Sequence, residues 1–394
     1  MRISNADNTV NIRWPSKFNE IPKEVFHRED VYRLELERIF MGPEWHMVAH
    51  RAELANPGDY KTFQIGEAPV LIVHGEDGKL RVFQNACPHR GTQLATCPRG
   101  SGRKIECPYH RWTFKNTGEL AGIPGVADFP KDFRKEDYGL RELRSAEVYG
   151  IVFATFSADA PEIDEWLGET KPYIAHFLDG DGDLTLLGYQ KVLFDSNWKE
   201  YGDNEGYHAP LLHVAARLLR FPKTRGEQFM TTHAHKVNLT ELPEPGDAGF
   251  LRDPSVIMPF DATKRIQASV IQLYPISLIL RNHDTITMRF VFPRSVDCTE
   301  VHYAYFGRRE DSAELSSYRA RQASNLLGPS GFISLEDGAV FNRIHVASRT
   351  PGTVAFQKGV TGPITAPITM DKGEEATNLI RWERYRQTMG FERA

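Results

Sequence analysis

The chain has 394 residues, 41% of them apolar, and its 48 Lys and Arg against 52 Asp and Glu leave a net charge of −4. That length is enough to bury a substantial core and predicts two domains, and the balanced, unclustered charge predicts no nucleic-acid partner. No run of 18 apolar residues is present and the first residues, MRISNADNTVNIRW, lack an apolar stretch, so neither a membrane span nor a secretory signal is expected and the location expected is cytoplasmic.

Residues 1–45 read as helical, with Val31, Leu34, Leu36 and Phe40 at the apolar positions. Over 46–156 the texture changes to short β runs. VLIVHGEDGKLRVFQNA predicts a hairpin turning at Glu76-Asp77-Gly78, WTFKNTGEL another at Asn116-Thr117-Gly118, and VYGIVFATF a buried strand. SADAPEIDEWLGET marks a boundary, and 160–394 reads as a mixed domain. In it QLYPISLILR, TITMRFVFPR and EVHYAYFGRR predict an antiparallel sheet. Asp371-Lys372-Gly373-Glu374 predicts a helix start with an acidic N-cap, the helix running through Leu379, Ile380, Tyr385 and Met389. The expected fold class is α+β.

Four cysteines, Cys87, Cys97, Cys107 and Cys298, are too few for a disulfide framework and favour a reducing compartment with a metal role. Cys87-Pro88-His89 and Cys107-Pro108-Tyr109-His110 form C-x-H, 17 residues, C-x-x-H. Each half offers one thiolate and one imidazole from a tight turn. Two thiolates suit one iron of a [2Fe–2S] cluster and two imidazoles the other, a substitution that raises the reduction potential. A Cys₂His₂ zinc site would accept the same four residues, but finger-type sites pair cysteine with cysteine, whereas each loop here mixes the two. Trp112 is expected to pack over this site, and Cys97 and Cys298 to be small buried hydrophobes.

These loops carry a resemblance. CPHRGTQL and CPYHRWTF resemble the cluster loops of the Rieske non-heme iron oxygenases, in particular the large (alpha, terminal oxygenase) subunit. That family usually has a small residue where Arg111 stands.

A cluster of this kind carries electrons, and its destination has to lie downstream. DSNWKEYGDNEGYHAPLLH holds His208 and His213. The spacing alone is weak, because five residues turn an ideal helix by about 500° and set the two side chains roughly 140° apart. Pro210 between them removes a helical donor and offers a kink that would bring both rings to one ion. The competing reading is a helix end with one buried and one exposed histidine. The same family resemblance extends to this segment and implies His208 and His213 as ligands of a mononuclear iron. It implies Asp337, after Gly328-Pro329-Ser330-Gly331-Phe332 and next to Glu336, as the carboxylate ligand that leaves open positions for O₂ and substrate. The plain alternative for Asp337 is a charge favoured at a helix N-terminus. Where the family usually has a bridging Asp this chain has Glu205, one helical turn from His208, with Asp203 as fallback; Tyr201 stands where a carboxamide or carboxylate is common.

The resemblance implies an all-β Rieske domain over 46–156 and a helix-grip catalytic domain with a central antiparallel sheet over 160–394, to which residues 1–45 belong. It implies a terminal oxygenase that uses O₂ and electrons from a separate NAD(P)H-dependent reductase, with or without a ferredoxin, since no G-x-G-x-x-G or plant-type cluster motif is present. An aromatic or aryl-containing small molecule would be dihydroxylated, monohydroxylated or oxidatively dealkylated. The implied assembly is a homotrimeric ring, α3 or, with a small β subunit, α3β3. Ala209, Leu218, Leu327 and Ile333 are expected to line the pocket, and Arg281 is a candidate anchor for a substrate carboxylate. Two other readings stand beside this one: a Rieske electron carrier with a non-catalytic C-terminal domain, and a zinc-stapled binding protein.

Overall fold

The structure, a computed structural model, describes residues 10–178, 180–204, 209–213, 225–241, 249, 251–261 and 267–394. Near the N-terminus a short strand β1 (Glu20–Pro22) precedes α1 (Glu29–Glu35), which runs into a wider π-type turn over Leu36–Phe40. Helix in the described part of the first 45 residues is thus short; Val10–Asn19 is irregular, because the 3.6-residue apolar pattern starts only at Val31.

Strands β2 (His46–His50), β3 (Asp59–Ile65), β4 (Ala68–His74), β5 (Leu80–Gln84), β6 (Arg99–Ser101), β7 (Lys104–Glu106), β8 (Thr113–Lys115), β9 (Leu120–Gly122), β10 (Arg144–Val148) and β11 (Ile151–Thr155) build the β-rich part. They form sheets ordered β10-β11-β2, β5-β4-β3-β6 and β7-β8-β9, every pairing antiparallel. The β4–β5 and β8–β9 hairpins turn where the sequence predicts. At Gly118 (φ +98°) only glycine fits, since a Cβ would stand 2.8 Å from the Phe83 ring. VYGIVFATF is not one strand: Tyr149 and Gly150 take φ of 51° and 75° and fold it into the β10–β11 hairpin, a two-residue turn of the kind that matches strand twist.

After α2 (Ile163–Leu167) and α3 (Lys171–Phe177) comes an eight-stranded antiparallel sheet ordered β12-β18-β17-β16-β15-β14-β13-β20. Its strands are β12 (Leu184–Phe194), β13 (Gly226–Met230), β14 (Lys236–Glu241), β15 (Gln267–Leu273), β16 (Ser277–Asn282), β17 (Thr285–Ser295), β18 (Cys298–Arg308) and β20 (Ile368–Asp371); β19 (Thr353–Ala355) instead pairs with β1. Pro275 breaks QLYPISLILR into the end of β15 and the start of β16, as a residue without an N–H must. Helices α4 (Trp198–Gly202), α5 (Ala209–Leu212), α6 (Ala313–Gln322), α7 (Ser334–Ser348) and α8 (Ala376–Met389) follow among the described residues. The acidic N-cap expected at Asp371 is not one. Asp371 ends β20 and its Oδ1 accepts the Gly373 N–H at 2.8 Å, and α8 starts only at Ala376.

The long sheet has two faces with different tasks. Phe290 on one face meets Phe63 of β3 with ring centroids 5.7 Å apart, which joins the β-rich part to the sheet. Beside it Lys61 Nζ sits 3.9 Å from the Phe290 ring centre and 2.7 Å from Glu53 Oε1, which also accepts the Tyr189 hydroxyl at 2.5 Å. The opposite face carries Leu278, Leu280, Thr287, Arg289, Tyr303 and Tyr305, and α4 and α7 cover it. Among the described residues, no helix is long and apolar enough to cross a membrane.

Candidate functional site

The two Cys/His loops are near-copies in backbone. In the first, the Cys87 N–H donates to the Thr92 carbonyl at 2.8 Å and the Gly91 N–H to the Cys87 carbonyl at 2.8 Å. In the second, the Cys107 N–H donates to the Trp112 carbonyl at 2.8 Å and the Arg111 N–H to the Cys107 carbonyl at 3.1 Å. Closing each turn requires a left-handed residue at the fourth position after cysteine. Gly91 supplies it at φ 74°, whereas Arg111 adopts φ 59° with a side chain, a conformation that costs about 1–2 kcal/mol. This is the consequence of having arginine there. Its guanidinium Nε pairs with Glu106 Oε1 at 2.7 Å on the surface. Asn85 secures the first loop, its Oδ1 accepting the Leu94 and Ala95 N–H groups at 3.1 and 3.0 Å.

Cys87 and Cys107 are both buried while His89 and His110 lie further out, their ring centroids 4.7 Å apart. Burial pushes the Cys87 thiol up, with Cys107 beside it. Partial burial, His110 and Arg90 hold the His89 imidazole below its ordinary value, in the neutral form a ligand needs. Among the described residues no three His, Cys, Asp or Glu side chains gather round one point as a single ion requires. Two thiols within and two imidazoles without suit a two-iron cluster, which asks two protein ligands of each iron. Trp112 stacks flat on His89, centroids 4.7 Å apart and planes 4° apart, with Phe129, Phe133 and Tyr138 around it. Trp112→Ala is expected to lower stability by about 3–5 kcal/mol and to bleach visible absorbance; a wild-type melt and spectrum would refute the stacking role. Cys97 departs from expectation: it is exposed, at the end of the first loop, and Cys298 is only half-buried.

The second group of residues gathers between α4, α5 and α7. Asn197 caps α4, its Oδ1 accepting the Lys199 N–H while Glu200 Oε2 accepts the Asn197 N–H at 2.8 Å. α5 is a single turn, and His213 follows it directly, buried. His213 thus lies just past the helical turn rather than within it. Asp337 sits in the first turn of α7, where the helix dipole favours a carboxylate. His213 Nε2 lies 3.6 Å from Asp337 Oδ1, and its Nδ1 lies 3.2 Å from Glu336 Oε2. First-row metals hold nitrogen and oxygen ligands at about 2.0–2.2 Å, so two ligands sharing one ion stand within roughly 4.4 Å of each other. The Asp337–His213 pair meets that condition. Glu336 then accepts a proton-bearing Nδ1 and turns Nε2 toward Asp337, the usual way a carboxylate orients a ligating imidazole. Glu205, His208, Leu218 and the side chain of Ala209 lie outside the described residues.

Arg289, which sequence reasoning passed over, ties this region to the sheet. Its Nη1 donates to Tyr201 Oη at 3.1 Å and its Nη2 to the Leu327 carbonyl and Ser334 Oγ at 3.0 Å each. Burial works against its charge, yet Tyr201, Tyr303 and Asp337 together hold its pKa above the ordinary value. Tyr201 is thus committed to Arg289. Leu327 is buried and Ile333 half-buried beside the turn into α7. Arg281 does not share this face: Leu278 pairs with Arg289 while Arg281 pairs with Ile286, so it points to the other side of the sheet. There its Nη1 reaches the His176 carbonyl at 3.3 Å. The fallback Asp203 uses its Oδ1 within the fold, accepting Asn378 Nδ2 and Trp382 Nε1 at 3.0 Å each.

Residues 44–136 match the Rieske [2Fe–2S] domain family, and residues 164–362 match the catalytic domain of the ring-hydroxylating alpha subunits. The chain is 31% identical to the large subunit of anthranilate 1,2-dioxygenase from Burkholderia cepacia over 98% of its own length and 97% of that protein's. It is 29% identical to the alpha subunit of the terminal oxygenase component of terephthalate 1,2-dioxygenase from a Comamonas species, with 91% and 92% covered. Its fold matches naphthalene 1,2-dioxygenase from a Rhodococcus species, solved with indole bound, at a TM-score of 0.82 and 24% identity over 94% of each chain.

Proposed function

The chain belongs to the family of ring-hydroxylating alpha subunits, and from that premise we propose which of its residues hold the two iron groups and what they act on. The protein is the terminal oxygenase component of a Rieske oxygenase, an oxidoreductase that incorporates O₂, and it carries a Rieske [2Fe–2S] cluster and a mononuclear iron. The electron-carrier and zinc-staple readings fall with that membership. When bound, the two groups supply one-electron transfer and O₂ activation. Cys87, His89, Cys107 and His110 hold the cluster. His208, His213 and Asp337 hold the iron. The observation that carries the second assignment is the grip on His213, one ring nitrogen on Glu336 and the other facing Asp337.

The chain's own residues do four things in this reading. Trp112 fixes the plane of His89. Glu336 fixes the tautomer of His213. Arg289 fixes the start of α7 and so the place of Asp337. Glu205 is the carboxylate that links the iron site to the cluster of a neighbouring subunit, in a homotrimeric ring of α3 or α3β3 composition fed by an NAD(P)H-dependent reductase, with or without a ferredoxin. Glu205→Gln should slow cluster reoxidation by about 10–100-fold in single-turnover experiments while metal analysis still finds the third iron; wild-type kinetics would refute the link.

The substrate is an aromatic or aryl-containing small molecule. The two relatives covered along nearly their whole length are named for anthranilate and terephthalate, both benzene carboxylates, which makes aromatic acids the first class to test. A screen of aromatic acids and neutral arenes with a reconstituted reductase, scored by product mass, separates added hydroxyls from lost alkyl groups. Product from none of them, with cluster and third iron in place, would overturn the aromatic assignment.

A further inference from the structure

Two carboxylates grip the ring of His345. Its Nδ1 lies 3.1 Å from Glu200 Oε1 and its Nε2 lies 2.8 Å from Asp297 Oδ1, and the residue is only 4% exposed. A neutral imidazole has one N–H and one lone pair, so it satisfies one carboxylate and opposes the other. The bridge closes only with one more proton, on the ring or on a carboxylate. Its three members come from three places. Glu200 is on α4, Asp297 is in the turn between β17 and β18, and His345 is on α7 two turns beyond Asp337. Glu200 spends its other oxygen on the cap of α4, so one carboxylate both starts α4 and holds α7.

We propose that His345 is a positioning residue for the mononuclear-iron site, its protonated bridge locking α7, which carries Asp337, to α4, whose chain leads on to Glu205 and His208. The proposal rests on the ligand assignment above. No other part of the described chain ties these two helices by a charged side chain on each. The groups facing the bridge are few. Arg349 Nη2 shares Asp297 Oδ1 at 2.6 Å. Lys199, next to Glu200, is held by Glu35. His27 lies within electrostatic range from the N-terminal side. Past β12, the Asp195 carbonyl accepts Asn342 Nδ2 at 3.3 Å one turn before His345.

The pH dependence has a definite sign. Burial works against the His345 charge, but Glu200 and Asp297 outweigh it and raise its pKa. A group raised in the folded state contributes fully below its unfolded value, near 6.5, and loses that contribution as pH rises through the folded value. The lock therefore loosens on the alkaline side.

The test uses the holoenzyme and reads iron beyond the two of the cluster, retained after desalting between about pH 6 and about pH 9, alongside the melting temperature. Wild type should lose that iron on the alkaline side. Asp297→Asn, at a half-exposed position, should move the midpoint to lower pH. His345→Gln should hold iron about tenfold less tightly without the pH-dependent limb, and cluster absorbance should stay at the wild-type level in both. A midpoint unmoved in Asp297→Asn, or wild-type retention by His345→Gln at the acid end, would overturn the positioning role. Wild type lacking the third iron at every pH would overturn the ligand assignment and the proposal together, an outcome distinct from the first. If His345→Gln does not fold, the midpoint in Asp297→Asn decides alone.

Discussion

Asp337→Ala and His213→Ala should each cut product formation by on the order of 1000-fold or more while leaving the visible spectrum of the cluster intact. The size follows from what the two side chains offer. A metal site contributes several kcal/mol of charge stabilisation, and each 1.4 kcal/mol is tenfold in rate. The selectivity follows from placement. Asp337 is in the first turn of α7 and His213 follows α5, whereas the cluster loops hang from β5–β6 and β7–β8 and close on their own backbone hydrogen bonds. Glu336→Gln is the informative companion. An amide in that place still meets Nδ1 but no longer demands its proton, so activity should fall far less than for Asp337→Ala. Equal loss in Glu336 and Asp337 variants would assign the ligand role wrongly between the two neighbours, and retained turnover in Asp337→Ala would end the assignment.

The resemblance singles out Asp337 and leaves its neighbour Glu336 without a role; the contact of Glu336 with His213 is where sequence reading stops. The two Cys/His loops proposed to hold the cluster are legible because each is local: cysteine and histidine lie within three or four positions, and the turn is closed by Gly91 or Arg111 next door. The β4–β5 hairpin is legible for the same reason. What joins distant segments is not. Nothing near Arg289 announces Tyr201 or Ser334, and nothing near His345 announces Glu200, 145 positions away. A buried charge leaves no periodic trace, so Arg289 reads as a polar interruption of TITMRFVFPR, and the strand candidate chosen instead, Arg281, differs by one face of the same sheet. The Tyr149-Gly150 turn is the milder case. The Tyr-Gly pair is a turn signal, but the apolar run around it dominates. The helical pattern near the N-terminus belongs to one short segment, Val31 to Phe40, and does not reach Val10–Asn19.

The N-terminal segment nonetheless has a decisive attachment, and breaking it should produce a large loss of stability. Glu35 is completely buried at the end of α1. Its Oε1 accepts Lys199 Nζ and the Tyr385 hydroxyl at 2.5 Å each, and its Oε2 accepts Trp198 Nε1 at 2.8 Å. One carboxylate thereby joins α1, α4 and α8, beneath the helix that leads to the iron site. Removing one partner of a buried ion pair costs about 3–5 kcal/mol, because the other charge stays behind without compensation. Glu35→Gln should therefore lower stability by about that amount at neutral pH, read from denaturant unfolding. The residual cost has a pH signature. Burial lowers the Lys199 pKa, and Glu35 opposes that shift. Without Glu35 the lysine falls further, so the folded state binds fewer protons than the unfolded one over the interval below about 10.4. Stability then rises with pH across that interval, and the deficit of Glu35→Gln should be smaller near pH 9 than near pH 7, to the extent that ammonium gives way to amine. A deficit that is constant or grows with pH would mean that lost packing and hydrogen bonds to Trp198 and Tyr385, rather than the stranded lysine, set the cost. A loss below about 1 kcal/mol, the range of exposed ion pairs, would remove Glu35 from its place as the junction of the three helices.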